Sequence, residues 1–197
     1  MTGMRGDCQR EFQEAAAEDD IELSRQSLPW LCERGHTALP DDASDARRGL
    51  AAIFVALGGD LNCLSAGRRN RLPGDFIHTS SRTLIEIDEP QHFTTARLTT
   101  LDMYPAGVQL GFDIEGYRSL CRKWRTGPEG DGYRRNKQAR CFGVGGRQRL
   151  RAYYDALRDL AAPAMGYPAV VRVPCPDRDG RAGYQRHRER LLTLLAA

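Results

Sequence analysis

Residues 83–88, Thr-Leu-Ile-Glu-Ile-Asp, are rich in β-branched side chains and alternate along the chain. As a strand they send Ile85 and Ile87 to one face and Leu84, Glu86 and Asp88 to the other. Phe76 and Ile77 begin a short apolar run just before, and residues 79–82 form a polar connection of turn-forming type. If that connection closes a hairpin, His78 pairs with Thr83, Ile77 with Leu84, Phe76 with Ile85 and Asp75 with Glu86. Elsewhere the periodicity is helical. Residues 46–57 place Leu50, Ile53, Phe54 and Leu57 on one face, and Gly58-Gly59 ends that helix. Residues 147–160 repeat Leu150, Tyr153, Leu157 and Leu160, with Arg151, Asp155 and Arg158 as surface ion pairs on another face. Pro163 and Gly166 end this helix. A terminal helix covers 184–195, and a helix with few large apolar residues covers 10–26. Strands are expected at 60–64, as the first of the sheet, and at 167–173, stopped by Pro174. Residues 93–146 are broken by Gly and Pro around a helical patch at 117–124.

The hairpin register puts three acids on one face. Directly opposed residues share a face with Cβ atoms roughly 4.5–5.5 Å apart, and like charges there repel. Asp75, Glu86 and Asp88 would converge, and a hard divalent cation bound through oxygen offsets the repulsion. A one-residue slip would move Asp75 to the other face. The simpler alternative is a half-exposed hairpin with a solvated acidic face.

Asp75, ten intervening residues, Glu86-Ile87-Asp88 and then Gln91-His92 resemble the core of the PD-(D/E)XK nuclease superfamily, nearest to small members of the very-short-patch-repair type. The resemblance covers residues 72–93 well and extends loosely to the later helix and strand. It implies an α/β, restriction endonuclease-like fold: a mixed β-sheet flanked by helices, with an irregular helical insertion after the active-site strand. It implies a single domain with an N-terminal helical segment (1–40), a core (41–93 and 147–174), an insertion (94–146) and a C-terminal helix (181–197). It also implies Mg²⁺ or Mn²⁺ held by Asp75 and Glu86 with the Ile87 carbonyl, and Asp88 as a further ligand or water-orienting group. His92 would be general acid or base, near its unperturbed pKa of about 6.5, and Gln91 would hydrogen-bond water or phosphate. One position departs from the pattern: Asp88 stands where the superfamily usually has Lys, so it cannot contribute a positive charge.

Charge supports a nucleic-acid partner through its distribution rather than its sum. The 197 residues carry a net charge of +3, so the basic residues must be clustered to matter. Between residues 134 and 151 Arg134, Arg135, Lys137, Arg140, Arg147, Arg149 and Arg151 occur with no acid among them. Interleaved Tyr133 and Phe142 and a Gly-rich stretch suit a surface that tracks a phosphate backbone, with Arg82 adding to it. A solvated basic face is the other reading.

The chain is thus expected to be a metal-dependent endonuclease acting on DNA, with RNA left open, in restriction, phage defence or repair. Double-strand cutting would need a homodimer, a partner protein or two nicks. The alternatives are a catalytically silent nuclease-fold protein that binds nucleic acid, and an interaction protein with no nucleic-acid partner. No apolar run approaches the ~20 residues of a membrane span, and the polar N-terminus has no signal-peptide core. The expected compartment is the cytoplasm. The six cysteines show no zinc spacing and are expected as thiols rather than disulfides.

Overall fold

A computed structural model describes residues 7–25 and 27–195. The chain is mixed α/β. Four strands form one mixed sheet in the order β1 (Leu23–Ser24), β2 (Phe76–His78), β3 (Leu84–Asp88) and β4 (Val171–Pro174). The first three run antiparallel to their neighbours, and β4 lies parallel to β3. A parallel neighbour requires a crossover connection. Residues 89–170 supply it, through helices α4 (Thr95–Asp102), α5 (Ile114–Trp124) and α6 (Arg147–Ala164).

The hairpin has the register its pattern predicts. Phe76 lies opposite Ile85 and Ile77 opposite Leu84, and the His78 N–H donates to the Thr83 carbonyl at 2.9 Å. The two faces then meet different layers. Ile85 and Ile87, with Phe76, Val171 and Val173, pack against α1 (Asp7–Ala17) and α7 (Gly180–Leu195) through Phe12 and Tyr184. These two helices touch backbone to backbone: a Cβ on Gly180 would stand 1.9 Å from the Cys8 carbonyl oxygen. On the opposite face, α6 packs with α2 (Ser44–Ala56), through Leu50, Ile53 and Phe54 against Tyr153, Leu157 and Leu160. Trp30 and Leu31 are buried in the same core. No helix of the described residues is long and apolar enough to cross a membrane.

Several expected elements fall differently. Residues 60–64 are not the first strand. Asp60 accepts the N–H groups of Asn62 and Cys63, and this cap starts a short helix α3 (Leu61–Ser65). The first strand is β1, from within the stretch 10–26 expected to be one helix; α1 stops at Ala17, and Gln26 lies outside the described residues. The later strand is shorter than 167–173, and α7 begins four residues before Tyr184. Helix α6 runs one residue past Pro163, to Ala164, and Gly166, at φ +73°, lies just beyond. Residues 94–146 hold two regular helices before the irregular part begins. The cysteines are not all thiols: Cys63 and Cys141 form a disulfide across 78 residues, while Cys8, Cys32, Cys121 and Cys175 are free and buried. With α3 helical, Cys63 faces the turn at Cys141, whose carbonyl accepts the Asp60 N–H at 2.9 Å.

One side chain ties the parallel pair to the crossover helix. Arg172, opposite Glu86 in the ladder, is fully buried. Its Nη1 donates to both Asp88 carboxylate oxygens, at 2.9 and 3.0 Å, and its Nε donates to Asp159 of α6 at 2.7 Å. Its Nη2 donates to the Asp155 carbonyl at 3.1 Å. Asp159 also accepts from Arg97 at 2.7 Å and from the Tyr104 hydroxyl at 2.6 Å. Removing one partner of such a network leaves buried charge uncompensated. Arg172→Met should therefore lower unfolding free energy by about 3–5 kcal/mol, measured by urea denaturation, and adding Asp88→Asn should recover part of it. A loss within experimental error would show that the network does not hold β3, β4 and α6 together.

Candidate active site

The site begins on the polar face of β3. Glu86 and Asp88 are 4% and 1% exposed, so the solvated acidic face considered above does not form. Asp75 joins them through the hairpin register. Its N–H donates to Glu86 Oε1 at 3.3 Å, and its Oδ2 accepts the Ile87 N–H at 2.8 Å. Gly74 permits this approach, since a Cβ there would stand 3.0 Å from Glu86 Oε1.

Helix α6 brings the second set. Arg151, Asp155, Arg158 and Asp159 follow helical spacing, and this stripe faces the sheet's polar face instead of solvent. Asp155, expected as a surface ion-pair partner, is 1% exposed. Arg158 Nε lies 3.2 Å from Glu86 Oε1, an ion-pair distance without hydrogen-bond geometry. The rest of its guanidinium is fixed by the carbonyls of Pro73, at 2.6 Å, and Tyr154, at 3.1 Å. His92 closes the group from a 3-10 turn, Pro90–His92. Its Nδ1 stands 3.0 Å from Asp155 Oδ2 and 3.2 Å from Asp88 Oδ1. Two carboxylates on Nδ1 call for hydrogen there, which leaves the lone pair of the neutral ring on Nε2.

Asp75, Glu86, Asp155 and His92 line a cleft of about 270 Å³ together with Arg147, Arg151 and Arg158. Asp88 lies behind it, held by Arg172 and by the Tyr117 hydroxyl at 3.1 Å. Asp88, His92 and Asp155 nevertheless offer ligand atoms within 4.8 Å of one another, a spacing that could hold a metal ion. Gln91 turns its amide toward Glu89, and Arg151 donates to the Gln91 carbonyl at 3.1 Å.

The basic series divides between the cleft, the surface and contacts within the fold. Only Arg147 and Arg151 of that series line the cleft. Arg149 donates to the carbonyls of Leu57 and Phe142, and Arg140 to that of Cys63, so both serve the fold. Arg82 lies 4.3 Å over the Tyr167 ring. Arg134 and Arg151 both approach the Tyr133 ring, while Arg135 and Lys137 are exposed. Alternation of backbone direction in a loop breaks the link between sequence clustering and spatial clustering.

Asp88, Asp155 and Asp159 face the guanidiniums of Arg97 and Arg172, Glu86 faces that of Arg158, and Arg147 and Arg151 line the cleft beside Asp75. Burial acts most strongly on two acids at the cleft, Asp75 and Glu86. Burial pushes the Asp75 carboxyl up, against the pull of the Ile87 N–H, and pushes Glu86 from 4.5 to about 7, against Arg158. Asp155 goes the other way: burial would raise it, but His92 and Arg172 hold it well below the usual carboxylate range. Burial would lower His92, and Asp155 and Asp88 outweigh it, so the imidazolium persists above its ordinary pKa. Carboxylates that burial has raised suit a divalent cation as a partner.

The site thus belongs to a mixed α/β protein with an acid-rich cleft between its sheet and its crossover helix. Residues 52–194 match a family of unknown function (DUF7255), and the chain belongs to that family. Comparison with curated proteins and with solved structures gave no match.

Glu86 binds its proton more tightly folded than unfolded, so its contribution to stability is present below pH 4.5 and lost as pH rises through about 7. His92, also raised, acts in the same direction above pH 6.5. Asp155, lowered, loses its contribution only in acid. Unfolding free energy of the metal-free protein should therefore fall between pH 5 and 8, by about 3 kcal/mol from Glu86. Glu86→Gln should flatten the slope. A stability that rises across this window would refute the raised acid pair.

Proposed function

We propose that the protein is a divalent-metal-dependent endonuclease of the PD-(D/E)XK type, acting on DNA. One observation carries the reading: Asp75 and Glu86 meet in a cleft that also presents Arg147, Arg151 and Arg158. Acids alone would repel a phosphodiester, and a basic cleft alone would bind it without reacting. The combination suits a substrate that is anionic and a reaction that needs a cation. The mixed sheet with flanking helices is compatible with the resemblance, and a helix returns the chain beside β3, but helices α2 and α3 precede the hairpin where a helix and a strand were expected.

In this reading Asp75 and Glu86 hold the ion, with the Ile87 carbonyl as the resemblance implies. The ion, when bound, would neutralise charge on the scissile phosphate and lower the pKa of a water. Arg147 and Arg151 hold the phosphate backbone at the cleft. His92, through Nε2, exchanges a proton with water or the leaving oxygen, and Asp155 fixes the orientation of its ring. Arg158 supplies from α6 the positive charge that Asp88 cannot supply from the strand. Asp88, with its carboxylate on Arg172, orients His92 from behind.

A second reading has its own observation. Asp88 occupies the position of the usual Lys and is committed to Arg172 and Tyr117. A protein with that change could retain the cleft for binding nucleic acid without cutting it.

Nicking of supercoiled plasmid in Mg²⁺ or Mn²⁺ separates the two. The wild type should nick, and Asp75→Ala and Glu86→Ala should each reduce the rate by about 10²-fold or more. Arg151→Ala should weaken DNA binding and reduce the slope of log affinity against log salt by about 1. Salt-dependent binding with no nicking by any form would favour the silent binder, and no binding at low salt would remove both readings.

A further inference from the structure

The Cys63–Cys141 pair differs from every other cysteine of the described residues. Cys8, Cys32, Cys121 and Cys175 are at most 2% exposed, whereas Cys63 and Cys141 are half-buried. Both line an open groove of about 770 Å³ with Gly58, Asp60, Gln138 and Arg140. An incoming thiol reaches these sulfurs without the protein unfolding, and it does not reach the other four.

The bond joins two segments that little else holds. Cys63 lies on α3, a helix of five residues. Cys141 lies in the turn between Ala139 and Gly143, at φ +65°, a conformation that is strained for a residue with a Cβ. Two further contacts span the same gap: the Asp60 N–H to the Cys141 carbonyl at 2.9 Å, and Arg140 Nη2 to the Cys63 carbonyl at 2.8 Å. Just beyond, the chain is fastened differently. Phe142 is buried against Phe54 and Tyr153, and Arg149 donates to its carbonyl at 2.7 Å. Ala139 is buried in the same core and exchanges backbone hydrogen bonds with Gly143, at 2.9 and 3.0 Å, and Arg140 lies 3.7 Å from Glu33, so loss of the disulfide would loosen the turn about this anchor and leave Ala139 and Phe142 in the core. The loosened stretch runs back through Arg140, Lys137, Arg135 and Arg134 to Tyr133, whose ring lies 5.7 Å from the Arg151 guanidinium at the cleft.

We propose that Cys63–Cys141 is a thiol–disulfide exchange site for a glutathione-type thiol, and that its reduction loosens residues 134–141 about the buried Ala139, beside the cleft. The chemistry is a double displacement. A thiolate of the reductant attacks one sulfur, a mixed disulfide forms, and the Cys63–Cys141 bond breaks as the other sulfur leaves as a thiolate and takes a proton. A second reductant thiol attacks the mixed disulfide and releases the first cysteine, which is protonated in turn. The protein pair gains two electrons and two protons, and two thiols become one disulfide. In a reducing compartment a bond this accessible would be transient, and the latch would report the thiol balance. The site holds whichever reaction the cleft serves, because it concerns access to the sulfurs and the motion of one segment.

The test uses the full-length protein in glutathione buffers from fully reduced to fully oxidised. Free thiols are alkylated under native conditions and located by mass spectrometry. Labelling should pass from none to both Cys63 and Cys141 across the series, while the four buried cysteines stay unlabelled. In parallel, limited trypsin digestion should cut after Arg134, Arg135, Lys137 or Arg140 at least about tenfold faster in the reduced form, tracking local opening. The Cys63→Ser/Cys141→Ser double variant should be cut at the fast rate in every buffer; if it does not fold, the wild-type series alone decides. Three results would overturn the proposal: a pair that stays oxidised in the most reducing buffer, a pair that never forms, or equal cutting of the two forms. None of these readouts depends on nuclease activity, so failure here and failure of the nuclease reading are distinguishable.

Discussion

Arg172 is the constraint on which the rest of the structure depends. A fully buried guanidinium has to be met by acceptors within hydrogen-bond reach, and here there are three: the Asp88 carboxylate on the neighbouring strand, the Asp159 carboxylate on α6, and the Asp155 backbone carbonyl one turn earlier on that helix. Apolar contacts tolerate sliding and rotation, whereas these contacts do not. A one-residue slip of β4 would turn Arg172 toward Phe12 and Tyr184 and carry a charge into the apolar layer. A rotation of α6 by one residue, about 100°, would take both Asp155 and Asp159 off the sheet. The charged layer thus specifies one strand register and one helix orientation, where hydrophobic burial specifies only that strand and helix meet.

The same layer has an inner and an outer part, and the difference between them marks the site. Inside, Asp159 is satisfied by Arg97, Tyr104 and Arg172, and Asp88 by Arg172 and Tyr117. These acids are paired and closed to solvent, and their work is structural. Outside, the Asp75 carboxylate accepts the Ile87 N–H, the Glu86 carboxylate accepts the Asp75 N–H and faces one imperfectly aligned guanidinium, and burial raises both. Evolution of a stable fold alone has a simple remedy for such a pair, an amide or an apolar residue. Carboxylates kept under-neutralised beside a cleft are instead poised to take up a cation or a proton. His92 joins the parts, since Nδ1 touches Asp88 of the inner set and Asp155 of the cleft.

How much of this could be read from residue order depended on the range of the interaction. The hairpin was legible because it is local. Its register follows from a four-residue connection and a period of two, and those features place Asp75 beside Glu86. Helices α2 and α6 were legible from their apolar spacing. The stripe Arg151, Asp155, Arg158 and Asp159 was visible too, but a charged stripe on a helix ordinarily faces water. Only its match to the acids of β3 and to Arg172 turns it inward, and that match spans 84 residues between Asp88 and Arg172. The strand expected at 60–64 fails because one side chain, Asp60, caps a helix there. The disulfide fails for want of any local signal across its 78 residues. Of the basic series, Arg147 and Arg151 line the cleft, whereas Arg140 and Arg149 bond backbone carbonyls of distant segments, a division that residue order does not show.

The acid at position 88 then has a structural explanation that does not depend on the reaction. On the polar face of β3 a Lys would lie within reach of Arg172, and two buried cations would repel where one salt bridge now forms. Asp88 and Arg172 are a matched choice across adjacent strands, and Arg158 stands where its charge reaches Glu86 from the helix instead. In the proposed nuclease reading, the positive charge next to the acid pair comes from an arginine held by two backbone carbonyls, those of Pro73 and Tyr154, rather than from a lysine on the strand. A guanidinium so held can steady a negative charge but is not a proton donor for catalysis. In the proposed reaction, proton exchange would therefore fall to His92, whose ring is oriented by Asp88 and Asp155.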